Sequence, residues 1–338
     1  MRFLVTGGSG FIGSHLLRRL AGNGHSLSVV VNRRQPELPE GGSIKYLKVD
    51  LEDPTALRGA GFKTDVAINM AGLLRKPGIP DEAYWKVHYE STKHLLEECT
   101  RFKVRYLMLV STTGVYGATG RTPRGEEGPY GPTDIYEKTK LEAERYAREY
   151  CSGEAINLTV VRPALVYGPG DLHLLALFKG IQKGYFRMVG DGSNLLHPIF
   201  IDDLIDGMMR CLPGEAAQGA ALPPPGPTAA RVFNFAGERP VTFREFCETI
   251  ARALGRRGMP KGTIPVGLAN MMGAALETVH KVTRLRPPLT RETVRFMTSD
   301  RAYDTKHARQ TLGWKPQVGL EPGIASAVAW YREKGLLN

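Results

Sequence analysis

The stretch FLVTGGSGFIGSH, residues 3 to 15, decides the fold expected of this chain. A short β-branched run, then glycines at every third position, then a helical pattern over 12–22 predict a strand, a tight turn and a helix. In that setting Gly7 permits the turn, Gly10 lets the backbone approach a pyrophosphate, and Gly13 allows the helix to pack closely on the strand. Phe11 and Ile12 open the helix, whose N-terminal amides are donors for a phosphate. We therefore expect a dinucleotide-binding loop here, against the simpler alternative of an ordinary glycine turn.

The same alternation of apolar strands and helical patterns continues through the first 170 residues. Strands are predicted over 3–6, 27–31, 44–49, 66–69, 106–111 and 158–162, and helices near 12–22, 84–102 and 135–151. This rhythm is typical of an α/β protein with a doubly wound parallel sheet, the Rossmann-type fold.

The length of the chain bears on its domain organisation. Its 338 residues correspond to about two domains at roughly 150 residues each. We predict a dinucleotide-binding domain over 1–168, with later contributions near 199–212 and 231–236. A smaller and mainly substrate-binding domain is predicted over 169–338.

Composition and charge exclude several classes of protein. Apolar residues make up 42% and charged residues 23%, which argues against disordered and fibrous chains. The net charge of +11 favours an anionic partner, and residues 255–309 alone hold 11 basic and 4 acidic residues. Because basic and aromatic residues do not interleave as in an RNA-binding surface, we expect no nucleic-acid partner.

The four cysteines are Cys99, Cys151, Cys211 and Cys247, and no two of them form a CxxC pair. Neither a disulfide framework nor a metal site is therefore expected, and a reducing cytoplasm is the simplest location. No run of 18 apolar residues and no apolar leader follow Met1, so we expect neither export nor a transmembrane segment.

The end of the second strand carries information on the cofactor. A carboxylate there favours NAD, because it accepts hydrogen bonds from the ribose hydroxyls and repels a 2′-phosphate. This chain instead reads Asn32-Arg33-Arg34, and two guanidinium groups suit the 2′-phosphate of NADP. NAD remains an alternative, since the arginines are also compatible with a solvated loop. Asp50 and Leu51, after the third strand, are placed to contact adenine, although Asp50 is equally compatible with a helix cap.

A second pattern indicates acid–base chemistry. The sequence YEKTK puts Tyr136 and Lys140 on one face of a predicted helix, at i and i+4. An ammonium beside a phenol lowers the cost of ionising it, as a tyrosine that exchanges a proton with a secondary alcohol requires. Upstream, the stretch STTGVYG, residues 111 to 117, supplies hydroxyls that could hold the reacting oxygen. Alone, YxxxK is equally typical of an exposed helix start.

Taken together and in this order, TGGSGFIG, STTGVYG and YEKTK resemble the extended short-chain dehydrogenase/reductase family, its epimerase/dehydratase group. The resemblance continues through RPALVYGPGD at 162–171, GDG at 190–192, IDDL at 201–204 and LGWKP at 312–316. It implies catalytic roles for Thr112, Tyr136 and Lys140, with Lys140 also on the nicotinamide ribose and hydride transfer at a carbinol carbon. It also implies a homodimer formed through the helices near 84–102 and 135–151.

Other contacts follow from the same resemblance. Further cofactor contacts are implied at Met70, Ala71, Gly72 and Pro163. Contacts with a small-molecule substrate are implied at Thr113, His173, Lys179 and Arg291.

The chain departs from the family pattern at three places. Many members have His in a His-Leu-Ala-Ala strand end, where this chain has Asn69. The family usually has Asn in a Val-Asn-Val-x-Gly-Thr helix, where this chain has His88. Sugar 4,6-dehydratases follow the catalytic Thr with Asp-Glu, whereas Thr113 and Gly114 follow here, so dehydration is disfavoured.

The substrate class stays open between two alternatives. Nucleotide-sugar members place an Arg on the diphosphate in a segment where this chain has Leu196, and the Asn expected near His173 is also missing. Compensating cations are available in Arg291 and Arg295 and in the segment that holds Lys179, Lys183 and Arg187. Because such members are frequent in the family, a nucleotide sugar stands slightly ahead.

The rival substrate is a bulky apolar alcohol or ketone, because the segments around 195–198 and 287–290 resemble hydroxysteroid dehydrogenases and dihydroflavonol reductases. Residues 268–282 then form either a substrate lid or an apolar helix that lies on an anionic membrane surface, beside Lys281, Arg284 and Arg286. A third hypothesis, a cofactor-binding protein without catalysis, is disfavoured because such relatives typically lose the Tyr or the Lys.

Overall fold

Seven parallel strands form the central sheet. The computed structural model describes residues 1–32, 35–36, 43–53, 55, 57–58, 63–76, 78–214, 230–283, 287 and 289–338. The strands are β1 (Arg2–Thr6), β2 (Ser26–Val31), β3 (Ile44–Lys48), β4 (Val66–Asn69), β5 (Tyr106–Val110), β6 (Asn157–Pro163) and β11 (Arg231–Phe235). Their order in the sheet is β3-β2-β1-β4-β5-β6-β11. The predicted α/β fold with a Rossmann-type sheet is confirmed.

Helices cover both faces of this sheet, as the strand sequences require. In β1, Phe3 and Val5 belong to one apolar core while Leu4 belongs to another, because successive side chains of a strand point to opposite faces. The helices of the two faces include α1 (Phe11–Gly22) and α6 (Ile201–Arg210) on the first side and α3 (Ser91–Arg101) and α4 (Ile135–Gly153) on the second.

The helix predicted over 84–102 is not one continuous α-helix in the structure. The observed segment consists of α2 (Asp81–Tyr84), a π-helical turn (Trp85–Glu90) and α3. At the junction Ser91 Oγ donates to Val87 O and Thr92 Oγ1 donates to His88 O, so hydroxyl groups occupy the carbonyls of the preceding turn. Such bonds bend helices, and π-helical turns are frequent at functional sites.

The later part of the chain adds short strands and further helices. Its strands are β7 (Val166–Tyr167), β8 (Met188–Val189), β9 (Leu195–Leu196), β10 (Ile199–Phe200), β12 (Val241–Thr242) and β13 (Thr263–Ile264). Its remaining helices are α5 (Leu175–Lys183), α7 (Phe243–Ala253), α8 (Val266–Thr283), α9 (Arg291–Thr298), α10 (Lys306–Leu312) and α11 (Leu320–Glu333). Strand β11 pairs with β6 and completes the main sheet, so the later part of the chain contributes a strand to the same sheet as residues 1–168. The proposed domain limits stay a prediction.

The order of the strands determines where a ligand site can form. From β1 the chain runs outward through β2 and β3, and then returns to place β4 on the other side of β1. Ligands of open parallel sheets bind outside the carboxyl ends of the strands at such a switch point. Residues 7–13 follow β1 and residues 70–73 follow β4, so both segments border this crevice.

Two further observations concern the predicted absences. All four cysteines are buried and free of disulfides. Within the described ranges, no helix has both the length and the apolar character needed to cross a membrane.

Candidate active site

The glycine loop after β1 is shaped by contacts that leave no space for side chains. Gly7 has φ of 71°, and a Cβ atom there would lie 2.3 Å from the carbonyl oxygen of Met70. A Cβ atom on Gly13 would lie 2.3 Å from the oxygen of Gly7. Gly10 is the N-cap of α1 and has no side chain to cap it, so the helix N-terminus stays available to a phosphate. The loop therefore fits the pyrophosphate of a dinucleotide, with Phe11 and Ile12 half-buried behind it.

The ends of β2 and β3 border the same crevice, where the adenosine half of a dinucleotide is expected. Asn32 follows β2 and is exposed, whereas Arg33 and Arg34 lie outside the described residues. Asp50 Oδ1 accepts a hydrogen bond from the amide of Glu52 at 3.0 Å, so this carboxylate holds a turn. The neighbouring carbonyl of Leu51 is bonded to His94 Nδ1 at 2.9 Å.

Helix α4 places Tyr136 and Lys140 at the crevice. Asp134 is its N-cap and accepts a hydrogen bond from the amide of Glu137 at 2.8 Å, which fixes where the helix begins. The Tyr136 side chain lies near Thr112, whose Oγ1 accepts the amide of Gly114 at 3.0 Å. The structure thus brings two of the three predicted catalytic residues close together.

Lys140 approaches the same place from the next turn of α4. Its Nζ atom donates to the carbonyl oxygens of Ala71 at 3.3 Å and Val110 at 3.2 Å. It also lies beside Gly72, where a Cβ atom would be 3.1 Å from Nζ. Residues 70–72, predicted to contact the cofactor, therefore pack directly against the predicted catalytic lysine.

Burial is the largest influence on the pKa values of Tyr136 and Lys140. Burial raises the pKa of Tyr136 to about 12, and the nearby hydroxyl of Thr112 opposes part of this rise. Burial also lowers the pKa of Lys140 from 10.5 to about 8. The effect of Lys140 on the ionisation of the phenol stays a prediction; its ammonium donates to the backbone carbonyls of Ala71 and Val110. At neutral pH Tyr136 is a protonated phenol, the form that donates a proton to a carbonyl oxygen.

The predicted substrate contacts lie in different surroundings. Thr113 is 3% exposed, and its Oγ1 donates to the oxygen of Pro163 at 3.2 Å, so its hydroxyl is engaged inside the protein. His173 is exposed just before α5, and Lys179 is half-buried within that helix. Arg291, the first residue of α9, donates from Nε to Glu277 of α8 at 2.9 Å.

A group of charged residues near Tyr136 was missed by the sequence analysis. Arg75 Nε donates to Glu292 Oε2 at 2.8 Å. The carboxylate of Glu292 lies near that of Asp134, the N-cap of α4, and burial together with this neighbour raises the pKa of Asp134. One turn further on in α9, Arg295 donates to the carbonyl of Thr133 at 2.8 Å. Helix α9 is therefore attached to the start of α4. The Asp134 cap was readable from the sequence, but no local pattern signals a contact between residues 217 positions apart.

A parallel sheet with a glycine loop at its switch point, next to a Thr112–Tyr136 pair and a buried Lys140, defines an NAD(P)-dependent enzyme of the extended short-chain dehydrogenase/reductase type. Residues 3–220 match the model of the NAD dependent epimerase/dehydratase family. The chain belongs to that family.

Known proteins are similar to the chain over its whole length. It is 31% identical over 334 residues to the 2-alkyl-3-oxoalkanoate reductase of Stenotrophomonas maltophilia, with 96% of this chain and 97% of the relative covered. It is 29% identical over 352 residues to the UDP-glucose 4-epimerase of Mycolicibacterium smegmatis, with 99% of each covered. The dTDP-glucose 4,6-dehydratase of Streptomyces venezuelae, solved with NAD bound, has the same fold with a TM-score of 0.78 at 22% identity, over 100% of this chain and 99% of that one.

Proposed function

We propose that the protein is an NADP-dependent oxidoreductase that interconverts a ketone and a secondary alcohol on a bulky, apolar substrate. The bound nicotinamide supplies or accepts the hydride at the carbinol carbon. Tyr136 exchanges the proton at the substrate oxygen, and Thr112 holds both the Tyr136 hydroxyl and that oxygen in line. Lys140 binds the nicotinamide ribose from the position that its contacts with Ala71 and Val110 define.

The observation that carries the choice of substrate is the position of Leu196. It lies in β9, is 1% exposed and is part of the main apolar core. A diphosphate-binding arginine is expected at this position in the nucleotide-sugar members that the sequence resembles. A buried leucine cannot neutralise a diphosphate, and an unpaired diphosphate binds poorly.

Three of the cations that could compensate, Arg187, Arg291 and Arg295, already have protein partners. Arg291 forms an ion pair with Glu277 at 2.9 Å, and Arg295 is bonded to the carbonyl of Thr133. Arg187 donates from Nη1 to the oxygens of Gly184 and Phe186, each at 2.8 Å. A diphosphate would have to compete with these bonds, which supports an apolar substrate.

Helix α8 supports the same choice. Its large apolar side chains are exposed, with Leu268 at 48%, Met271 at 68% and Val279 at 52%. Gly273 packs against the start of α9, where a Cβ atom would lie 2.8 Å from the amide nitrogen of Arg291. Because α9 is attached to the start of α4, the helix that carries this apolar surface is linked to the candidate site, and an apolar surface suits the entry of an apolar substrate. The lid and membrane-surface alternatives for this helix both remain proposals.

The preference for NADP rests on the sequence Asn32-Arg33-Arg34. Two guanidinium groups and no carboxylate follow β2, where the adenine ribose of a dinucleotide is expected. Titration of the protein with NADPH and NADH tests this preference. Tighter binding of NADH would contradict it.

A nucleotide sugar is the second candidate, favoured by the 29% identity with a UDP-glucose 4-epimerase over 99% of both chains. The excess of basic residues over 255–309 also suits an anionic substrate. This candidate implies epimerase or reductase chemistry and not dehydration, because Thr113 and Gly114 occupy the positions of the dehydratase carboxylates.

A thermal-shift screen with NADPH present separates the two candidates, since a ligand that binds only the folded state stabilises it by mass action. The probes are UDP-glucose, dTDP, a 2-alkyl-3-oxoalkanoate and a 3-oxosteroid. We expect the apolar ketones to raise the unfolding temperature and to be reduced, as followed by NADPH absorbance. Stabilisation by UDP-glucose or dTDP alone would overturn the proposal in favour of the nucleotide sugar.

We also infer a homodimer formed through α3 and α4. Tyr89, in the π-helical turn before α3, packs against Tyr146 of α4 with 5.6 Å between the ring centroids, and Lys93 of α3 lies over both rings. Partly exposed tyrosines are enriched in protein interfaces. Light scattering is expected to give twice the mass of the chain, and a monomer would refute the inference.

A further inference from the structure

Two departures from the family pattern, Asn69 and His88, lie in one buried hydrogen-bond network. Asn69 is 3% exposed and His88 is 1% exposed. Asn69 Nδ2 donates to Thr92 Oγ1 at 3.0 Å, and Thr92 Oγ1 donates to the carbonyl oxygen of His88 at 2.6 Å. The strand end after which the crevice begins is thereby connected to the π-helical turn.

Asn69 fixes one side of the loop that follows β4. Its Oδ1 atom accepts the hydroxyl of Thr6 at 2.7 Å and the amide of Ala71 at 3.3 Å. Thr6 is the last residue of β1, directly before the glycine loop. Asn69 therefore joins the two segments that border the crevice at the switch point.

His88 fixes the other side of the same loop, in a single tautomer. Its Nε2 atom accepts the amide of Leu73 at 3.0 Å, so the ring proton of the neutral imidazole is on Nδ1. Nδ1 donates a hydrogen bond to Thr139 Oγ1 at 2.8 Å, and the Thr139 hydroxyl in turn donates a hydrogen bond to the carbonyl of Ile135. Burial, together with the neighbouring charge of Lys140, lowers the pKa of His88 to about 2, which keeps the ring neutral.

The ring of His88 also touches the catalytic residues. It packs edge to face on Tyr136, with 5.4 Å between the ring centroids and 82° between the planes. Gly72 lies between this ring and the lysine, since a Cβ atom there would be 3.4 Å from His88 Nε2 and 3.1 Å from Lys140 Nζ. A change in the position of His88 would therefore move Leu73, Tyr136 and the space around Lys140 together.

We propose that Asn69 and His88 are a coupled positioning pair in which the carboxamide and the imidazole of the family pattern have exchanged places. The family pattern has His at the strand end and Asn in the helix, and this chain has Asn at the strand end and His in the helix. The exchange keeps one group that bridges β1 to the loop and one that bridges the loop to α4. The pair holds residues 70–73 in the position that Lys140 and the cofactor require. This proposal rests on the proposed roles of Tyr136 and Lys140.

The first test is spectroscopic and needs no substrate. In protein labelled with ¹⁵N-histidine, the signals that disappear in His88→Asn identify the ring of His88. We expect a protonated Nδ1 and an unprotonated Nε2 at pH 7. A protonated Nε2 or a positively charged ring would overturn the proposal, because neither form can accept a hydrogen bond from the amide of Leu73 at Nε2.

The second test is a double-mutant cycle with Asn69→His, His88→Asn and the double exchange. The measured quantities are the dissociation constant of NADPH and kcat/KM for a 2-alkyl-3-oxoalkanoate. Each single change is expected to cost about tenfold, the loss of roughly one hydrogen bond, and the double exchange to return within about threefold of the unchanged protein. A double exchange that costs about a hundredfold, the product of the single effects, would overturn the coupling.

Two further variants keep the test decisive if a single exchange fails to fold. Thr139→Val removes the acceptor of the His88 proton at nearly constant volume, and we expect it to weaken NADPH binding and to shift the Nδ1 signal. His307→Asn is the control, since this exposed histidine is bonded through Nδ1 to the carbonyl of Val232 at 3.0 Å and should leave both readouts unchanged. An unchanged NADPH affinity in Thr139→Val would contradict the proposal. NADPH affinity and the ring signals require no substrate, so they stand even if the proposed substrate class fails.

Discussion

The Nζ atom of Lys140 donates to the carbonyl oxygen of Val110 at 3.2 Å, at the end of the strand beside the crevice. The ammonium is thus enclosed by the sheet and held by backbone dipoles, and its burial lowers the pKa to about 8. A charge kept in such a place for catalysis lowers the stability of the folded state.

We therefore expect Lys140→Met to raise the free energy of unfolding at pH 7, by up to about 3 kcal/mol from a pKa shift of this size. Below pH 8, Lys140 is protonated in both the folded and the unfolded state of the unchanged protein. Between pH 8 and 10.5 the folded state loses its proton first, so the unfolded state binds more protons and stability rises with pH. The advantage of Lys140→Met should shrink over that interval in urea denaturation at several pH values.

Lys138→Met is the matched control, because Lys138 is exposed on the same helix. It should leave stability nearly unchanged at every pH. A Lys140→Met protein that is less stable than the unchanged protein at pH 7 would show that the carbonyl contacts outweigh the cost of burial.

Tyr136→Phe removes the hydroxyl near Thr112 and leaves the ring in contact with His88. Loss of general acid catalysis should lower turnover by about 10²- to 10⁴-fold, while NADPH affinity stays nearly constant. Steady-state kinetics and fluorescence titration measure the two effects separately. Tyr185→Phe, at a side chain that is 63% exposed, should behave as the unchanged protein, and full activity in Tyr136→Phe would disprove the mechanism.

Gly13→Ala and Gly22→Ala form a matched pair within α1. A methyl group at Gly13 would lie 2.3 Å from the oxygen of Gly7 and 2.8 Å from Gly8 Cα, whereas nothing lies within 4 Å of one at Gly22. Gly13→Ala should lower stability by about 1–3 kcal/mol and weaken NADPH binding, because the loop must move. Gly22→Ala should be neutral or stabilising by up to about 1 kcal/mol. Equal effects in thermal unfolding and titration would contradict the assigned loop geometry.

Arg162 and Glu144 form an ion pair with side chains 0% and 1% exposed. The guanidinium also lies over the rings of Tyr116 and Tyr130, 5.1 Å from each centroid. Arg162→Met leaves the carboxylate of Glu144 buried without its cation, so we expect a loss of about 3–5 kcal/mol in urea denaturation. Arg145→Met, which breaks an exposed pair with Glu142, should cost less than about 1 kcal/mol, and similar losses for both would refute the argument.

The sequence predicts the parts of the protein that depend on local patterns. The strands of the sheet, the start of α1 and the pair Tyr136 and Lys140 are all readable from spacing, because a repeat of two or of 3.6 residues fixes which side chains share a face. The break of the helix near residue 88 was not predicted, since it depends on hydroxyl bonds of Ser91 and Thr92 that compete with the backbone.

Contacts between distant positions could not be predicted from one sequence. The bonds of Glu292 with Arg75 and of Arg301 with Glu137 span 217 and 164 residues. The protonation of Tyr136 and Lys140 was also missed, because it depends on burial and on the carbonyls that surround the ammonium. Such properties belong to the packed structure and have no local signature in the chain.

The buried hydrogen bonds beside Arg162 have a consequence for the order in which the protein folds during its synthesis on the ribosome. The Tyr116 hydroxyl is bonded to Asn234, and Asn234 Nδ2 donates to the carbonyls of Arg124 and Asp304. These bonds can therefore form together only after Asp304 has emerged from the ribosome. Helix α4 ends at Gly153, so its whole length is synthesised well before this network can close.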